Sequence, residues 1–306
     1  MIDAYDNKEK LINRLNELAE DGNHIFRGYN KQEQLLPNAI RNNMIDVEKD
    51  LLFQFERYGA QYISTNNPID FMSYAQHFGL STRLLDFTYN PFVALYFSLF
   101  SPKSNGKYVN PEDKTYYYIR YASVKENILV KHIPYLNKGP FFEINSLAQR
   151  SIALIDTVDI MFDKSIKIKP DFLFENRSQI IQGFFSTVAT NSDVENKKLF
   201  IQENEQKVAK RKILFIDPNQ SNQRLIMQQG LFMFPYTLNK DEHLNIITDN
   251  TQVIKIHKDL REPLLNYLDT LGINAFRIMP DLSSVCSAVE RKVKDARSAK
   301  SELFKK

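Results

Sequence analysis

The stretch GLSTRLLDFTYNPFVALYFSLF, residues 79–100, places the tightest limit on how this chain can fold. It sets a cation, Arg83, and a carboxylate, Asp86, inside a run that is otherwise apolar. Neither charge is stable in an apolar interior unless it is paired and hydrogen-bonded. Asn90-Pro91 then reads as a helix start, with Asn as the cap and Pro at the first helical position, where its missing N–H costs nothing. Phe92, Leu95, Tyr96 and Leu99 carry that helix inward. Two solutions fit the charges: a structural ion pair, or a binding site. On an extended segment, residues three apart face opposite sides; in a tight turn Arg83 and Asp86 would meet. Asp86 either orients Arg83 toward a ligand or holds Arg27, from the segment NHIFRGYN at 23–30.

Periodicity predicts helices over 7–20, 46–62 and 69–78, the last ending at Gly79. Runs rich in β-branched and aromatic residues predict strands at 23–30, 115–122, 151–162, 211–217 and 251–257. Residues 191–212 are charged and predict a surface excursion, 275–282 read as extended, and 284–304 as a closing helix. Strands and helices mix without regular β-α-β alternation, so the expected class is α+β. The expected organisation is an N-terminal helix at 1–22, a main body at 23–257 with a helical insertion at about 46–78, and a C-terminal helical segment at 258–306 packed on it.

The chain has 306 residues, 43% of them hydrophobic, enough for a sizeable core. Its net charge of +3 argues against a dedicated nucleic-acid protein, although a local basic groove stays open. A single cysteine, Cys286, builds neither a disulfide nor a thiolate metal site. Residues 1–18 are charged and lack the apolar core of a secretory leader, and no apolar run approaches the ~20 residues of a membrane span. A cytoplasmic protein without a membrane partner is expected. There is no phosphate-binding glycine loop, no HExxH and no GxSxG, so no metal is expected and several common enzyme classes drop out.

Five segments together resemble the FRG-domain family. HIFRG at 24–28 matches the Phe-Arg-Gly element and LLPNAIR at 35–41 the Leu-Pro and later Arg. FMSYAQHFGLSTRLLDFTYNPFVALYFS at 71–98 matches the longest signature, with Ser81 where the family usually has proline. NQRLIMQQGLFMF at 222–234 and GINAFRIMPDLSSV at 272–285 resemble later elements. The layout is also similar to ADP-ribosyltransferase folds, which split a nicotinamide dinucleotide. Those carry an Arg or His on a first strand, a Ser-Thr strand leading to a helix with an aromatic, and a Glu on a late strand. Arg27 fits the first place, and Ser81-Thr82 with Phe92 or Phe97 the second. At the third this chain has Gln228 and Gln229, so Asp86, Glu143 or Glu175 would have to replace the Glu.

The resemblance implies a mixed β-sheet core and an ADP-ribosyltransferase-like or NAD-cleaving effector, in bacterial stress or phage defence. NAD is the implied substrate, and a protein or a nucleic acid the implied acceptor. Arg27, Gly28, Thr82 and Arg83 are the expected dinucleotide contacts, with Arg224 as a further anion contact. Asp86, Gln229 and His77 are the expected catalytic groups, His77 acting as base on an acceptor. Each has a plainer reading: Arg27 bonding nearby carbonyls, Thr82 bonding its own turn, His77 closing a helix C-terminus. The alternative function is a non-catalytic module that binds a nucleotide or nucleic acid. In that reading the basic run RKVKDARSAKSELFKK at 291–306 adds affinity; its plainer reading is a solvated helix face.

Overall fold

The computed structural model describes residues 2–100, 115–131, 146–162, 177–189, 194–219 and 223–279, together with 285, 286, 289 and 293. Eight strands form one mixed sheet: β1 (Ile2–Tyr5), β2 (His24–Tyr29), β3 (Leu85–Thr88), β4 (Tyr116–Ser123), β5 (Ile128–Lys131), β6 (Leu214–Asp217), β7 (Gly230–Met233) and β8 (Gln252–His257). Their spatial order is β1-β8-β4-β2-β3-β7-β6-β5. The two outermost pairs, β1/β8 and β6/β5, are parallel, and the inner pairs are antiparallel. The fold class is therefore α+β, with helices on both faces.

One face carries α1 (Lys8–Glu20), α5 (Pro91–Leu99) and α11 (Arg261–Thr270). Leu11, Leu15 and Leu18 of α1, Leu95 and Leu99 of α5, and Leu264 and Leu268 of α11 pack there with Phe26, Ile119 and Ile254. The other face carries α3 (Glu48–Gly59), α4 (Pro68–His77), α6 (Leu147–Phe162), α7 (Arg177–Val188) and α10 (Lys240–Asn250). Its core joins Leu52, Phe71, Leu154, Val158, Phe185 and Ile247 to Ile25, Phe87 and Phe215. Four further helices lie among the described residues: α2 (Asn38–Arg41), α9 (Gln223–Gln228) and α12 (Ala275–Ile278) are short, and α8 (Val194–Ala209) occupies the charged excursion.

Residues 151–162 correct the sequence expectation of a strand: they are the body of α6. The β-branched residues suggested a strand, but burial recurs at Ser151, Leu154, Ile155, Val158, Met161 and Phe162, a helical period that lays one stripe on the core. The expected extended segment at 275–282 begins as α12, and residues 280–282 lie outside the described set, as does most of 284–304. β1 was not anticipated, since its partner β8 lies some 250 positions away along the chain.

The centre of the sheet is its weakest seam. β2 pairs with β4 from His24↔Ser123 to Tyr29↔Tyr118, and β3 with β7 from Leu85↔Met233 to Thr88↔Gly230. Between β2 and β3 the register holds at Phe26↔Thr88 alone. α5 spans this seam. Asn90 Oδ1 accepts from the N–H groups of Phe92 and Val93 at 2.9 and 3.3 Å, and Pro91 opens the helix as its sequence position requires. At the other end Asn30 Nδ2 donates to the Ser98 and Phe100 carbonyls at 3.3 and 3.2 Å.

Gly28 lets α5 lie directly on β2. A Cβ at this position would sit 1.7 Å from the Ala94 carbonyl oxygen and 2.7 Å from the Ser98 nitrogen. Both are backbone atoms that cannot rotate away. Gly28→Ala is therefore expected to push α5 off the seam and cost about 3 kcal/mol, lowering the melting temperature by roughly 5 °C in a thermal melt.

Candidate functional site

A cavity of about 320 Å³ opens where β2 and β3 part. Phe26, Arg27, Gly28, Asp86, Phe87 and Thr88 line it from the two strands, and Ala94, Phe97 and Phe100 from α5 and its end. Gln34 and Arg41 close it from the segment after β2, and Arg224, Gln228 and Met279 from the C-terminal half.

Arg27 stands in the gap left by the missing ladder. Its Nη1 donates to the main-chain carbonyl of Asp86, and its Nε and Nη2 both donate to the carbonyl of Gln34, the former at 3.1 Å. A guanidinium has five N–H groups; these three bonds leave two for the cavity. Burial pushes its pKa down to about 10, and Arg41 adds to this while Asp86 opposes it. The group is still a cation at neutral pH. Burial likewise lowers Arg41, again against the pull of Asp86.

Asp86 is oriented from beneath. Gln76 Nε2 donates to Asp86 Oδ1 at 3.0 Å, and Thr82 Oγ1 donates to Gln76 Oε1 at 2.5 Å. Thr82 is buried, so it reaches the cavity only through Gln76. Asp86 Oδ2 makes no hydrogen bond among the described residues. A second hollow of about 20 Å³ lies on the far side of Asp86, bounded by Ser73, Gln76, His77, Arg224, Leu225, Gln228 and Phe232. That is room for one water molecule. His77, at the end of α4, is thus brought beside Asp86, with its ring edge-on to Phe78.

Arg83 is placed elsewhere. Its side chain is 4% exposed and forks onto Glu48, with Nε and Nη2 at 3.0 and 2.9 Å from Oε2. Nη1 donates to Asp159 at 2.6 Å and to the Pro235 carbonyl at 3.2 Å. Burial alone would lower its pKa, but Glu48 and Asp159 raise it further than burial lowers it. The two charges of the opening stretch therefore do not meet: Arg83 ties α3, α6 and the segment after β7 together, while Asp86 faces the cavity.

Gln229 is also outside the cavity. It takes a left-handed conformation, φ 47°, just past α9, and its side chain is exposed. Its neighbour Gln228 is buried, lines both hollows, and donates from Nε2 to the Ile278 carbonyl at 2.7 Å. Of the two expected aromatics, Phe97 lines the cavity, whereas Phe92 packs toward Tyr267 of α11. Gln76, Gln34 and Arg41 were not singled out from sequence. Arg41 is the later Arg of LLPNAIR, marked as a family element but given no role, and Gln76 precedes His77. Glu143, Glu175 and most of the basic run at 291–306 lie outside the described residues.

Residues 22–107 match the family model of the FRG domain. The chain carries an FRG domain. The match begins just before β2 and runs past α5, so Arg27, Gly28, Arg41, Gln76, His77 and Asp86 all lie within the FRG domain, while Arg224 and Gln228 reach its cavity from beyond it. No curated protein and no solved structure matches the chain. Among the described residues no group of three His, Cys, Asp or Glu side chains is placed to hold a metal, and no helix is long and apolar enough to cross a membrane.

Behind the FRG-domain cavity, His243 of α10 is fully buried and its Nε2 contacts the Leu35 carbonyl at 2.9 Å. A carbonyl only accepts, so Nε2 carries the proton. This bond steadies the 3₁₀ turn at Gln32–Leu35, whose Gln34 carbonyl holds Arg27. Burial pushes the His243 pKa down from 6.5 to about 4, so the folded state keeps the ring neutral where the unfolded chain protonates it. Stability is then full above pH 6.5 and falls as pH drops toward 4. The expected loss from this group is about 2 kcal/mol between pH 7 and pH 5. His243→Gln should remove that part of the pH dependence in urea unfolding at the two pH values.

Proposed function

We propose that the FRG-domain cavity binds a pyridine dinucleotide of the NAD type and hydrolyses its bond between nicotinamide and ribose. The observation that carries this reading is the position of Asp86. One carboxylate stands between a cavity lined by three guanidinium groups and a hollow the size of one water. Arg27, Arg41 and Arg224 exceed it by two positive charges, which suits a diphosphate. The rings of Phe97 and Phe100 supply faces on which a base can stack.

The chemistry is that of a glycosidic bond. The bond between C1′ and the pyridinium nitrogen breaks, its electron pair neutralises the nicotinamide, and positive charge grows on the ribose. A carboxylate with one oxygen held by Gln76 and the other free is suited to stabilise that charge. Water from the small hollow adds to C1′ and gives its proton to Asp86 or to His77. The products are ADP-ribose, nicotinamide and a proton. An acceptor other than water at the same place would make the reaction an ADP-ribosyl transfer to a protein or nucleic acid. Depletion of the dinucleotide would suit the effector role that the family resemblance implies.

Gln228 is neutral where the transferase resemblance places a glutamate. That favours a second reading, in which the cavity binds the dinucleotide without cleaving it. Incubation with NAD, with released nicotinamide followed by chromatography, separates the two. Asp86→Asn keeps the bond from Gln76 and is expected to lower turnover at least about 100-fold. Arg41→Ala and Arg224→Ala should each raise KM about tenfold or more, with smaller effects on kcat. NAD binding without turnover in the wild type would favour the second reading. Neither binding nor turnover would overturn both.

A further inference from the structure

A second surface lies on the sheet beside the cavity: Arg120 of β4 stands opposite Arg27 of β2. β4 and β8 set Tyr116 opposite His257, Tyr118 opposite Lys255 and Arg120 opposite Val253. Side chains on a strand alternate, so Tyr116, Tyr118, Arg120, Lys255 and His257 share one face. Tyr117, Ile119, Tyr121, Ile254 and Ile256 fill the other and are buried. The five on the first face are each partly exposed.

Their arrangement is a lattice of rings and cations. Tyr118 stacks on Tyr29 across the strands, with centroids 5.2 Å apart and planes 20° from parallel. Lys255 Nζ lies 5.8 Å from the centre of the Tyr116 ring, and His257 meets that ring edge-on at 5.7 Å. Arg120 Nη1 donates to Thr251 Oγ1 at 2.7 Å where the end of α10 reaches this face. No strand position of β4 or β8 on this face is acidic; Asp259, just past β8, pairs with His257 at 3.2 Å. An ordinary solvent-facing sheet alternates charges of both signs across its strands. This one offers rings bordered by cations.

We infer that the face formed by Tyr116, Tyr118, Arg120, Lys255 and His257 binds single-stranded nucleic acid. Tyr116 and Tyr118 are two positions apart on one strand, hence about 7 Å apart, and can each take one base of an extended strand. Lys255 and Arg120 flank those rings and take the phosphates. A duplex keeps its bases stacked inside and offers the rings nothing. None of these five side chains lines the cavity, and the inference is independent of the chemistry proposed there.

Fluorescence anisotropy of the full chain with a labelled 15-nucleotide single strand tests it. Two phosphate contacts predict a loss of affinity of about sevenfold between 50 and 200 mM salt. Tyr118→Ala should weaken binding at least about fivefold. Lys255→Glu, a change at a partly exposed position, should weaken it and flatten the salt dependence by about 0.7 in slope. Arg41→Ala and Arg224→Ala should leave it unchanged. Absence of binding at low salt, equal affinity for a duplex of the same sequence, or affinity indifferent to both Tyr118→Ala and Lys255→Glu would each overturn the inference.

Discussion

A guanidinium standing in for strand pairing is the interaction on which this structure turns. β2 and β3 meet at one residue pair, and beyond it Arg27 bonds the Asp86 carbonyl on one side and the Gln34 carbonyl on the other. Backbone groups left open inside a sheet must find partners. A side chain that supplies them can also leave space, which a direct ladder cannot. The cavity exists because the strands part, and the strands can part because Arg27 bridges them. Gly28 completes the device by letting α5 lie against β2 at backbone distance.

The same short stretch of chain serves structure and site on opposite sides. Arg83 points into the helical layer, where Glu48 and Asp159 satisfy its fork, and a buried cation of this kind is strongly destabilising to expose or strip of its partners. Asp86, three residues on, faces the opened seam. Between them Leu85 pairs with Met233 and fixes the register, so the two charges cannot exchange places without moving every side chain of β3 to the wrong side. Arg83 thus anchors the strand that presents Asp86. Loss of either would impair the cavity, but only Asp86 would do so without disturbing the helices behind the sheet.

Much of this was legible from residue order, and the failures have physical causes. Asn90-Pro91 announced a helix start because capping is local chemistry, and Gly79 and Gly272 do take the left-handed conformation that closes a helix. The run at 151–162 misled because β-branched residues favour strands only weakly, and the helical burial stripe of α6 outweighed them. Gln229 was preferred to Gln228 because it directly precedes Gly230 in an otherwise apolar run, but α9 ends at Gln228. The left-handed residue is Gln229 itself, which turns its side chain outward and leaves Gln228 inside. Gln76 and Arg41 were missed for a different reason. A glutamine on α4 has no pattern of its own, and Arg41, though part of a matched element, takes its place in the site only from the strand that folds beside it.

The charge arrangement also bears on what the cavity can do. Arg27 is a cation whose burial already lowers its pKa, and Arg41 lies close enough to lower it further. Like charges gathered at the wall of a cavity repel, and one carboxylate relieves them only in part. A bound anion would relieve the rest, so the cavity favours ligands with at least two negative charges over neutral ones. Asp86 would be expected to repel the same anion. Under the proposed reading its position at the boundary with the smaller hollow resolves the conflict: phosphates would sit among the guanidinium groups, and the carboxylate would face the part of the ligand where positive charge develops.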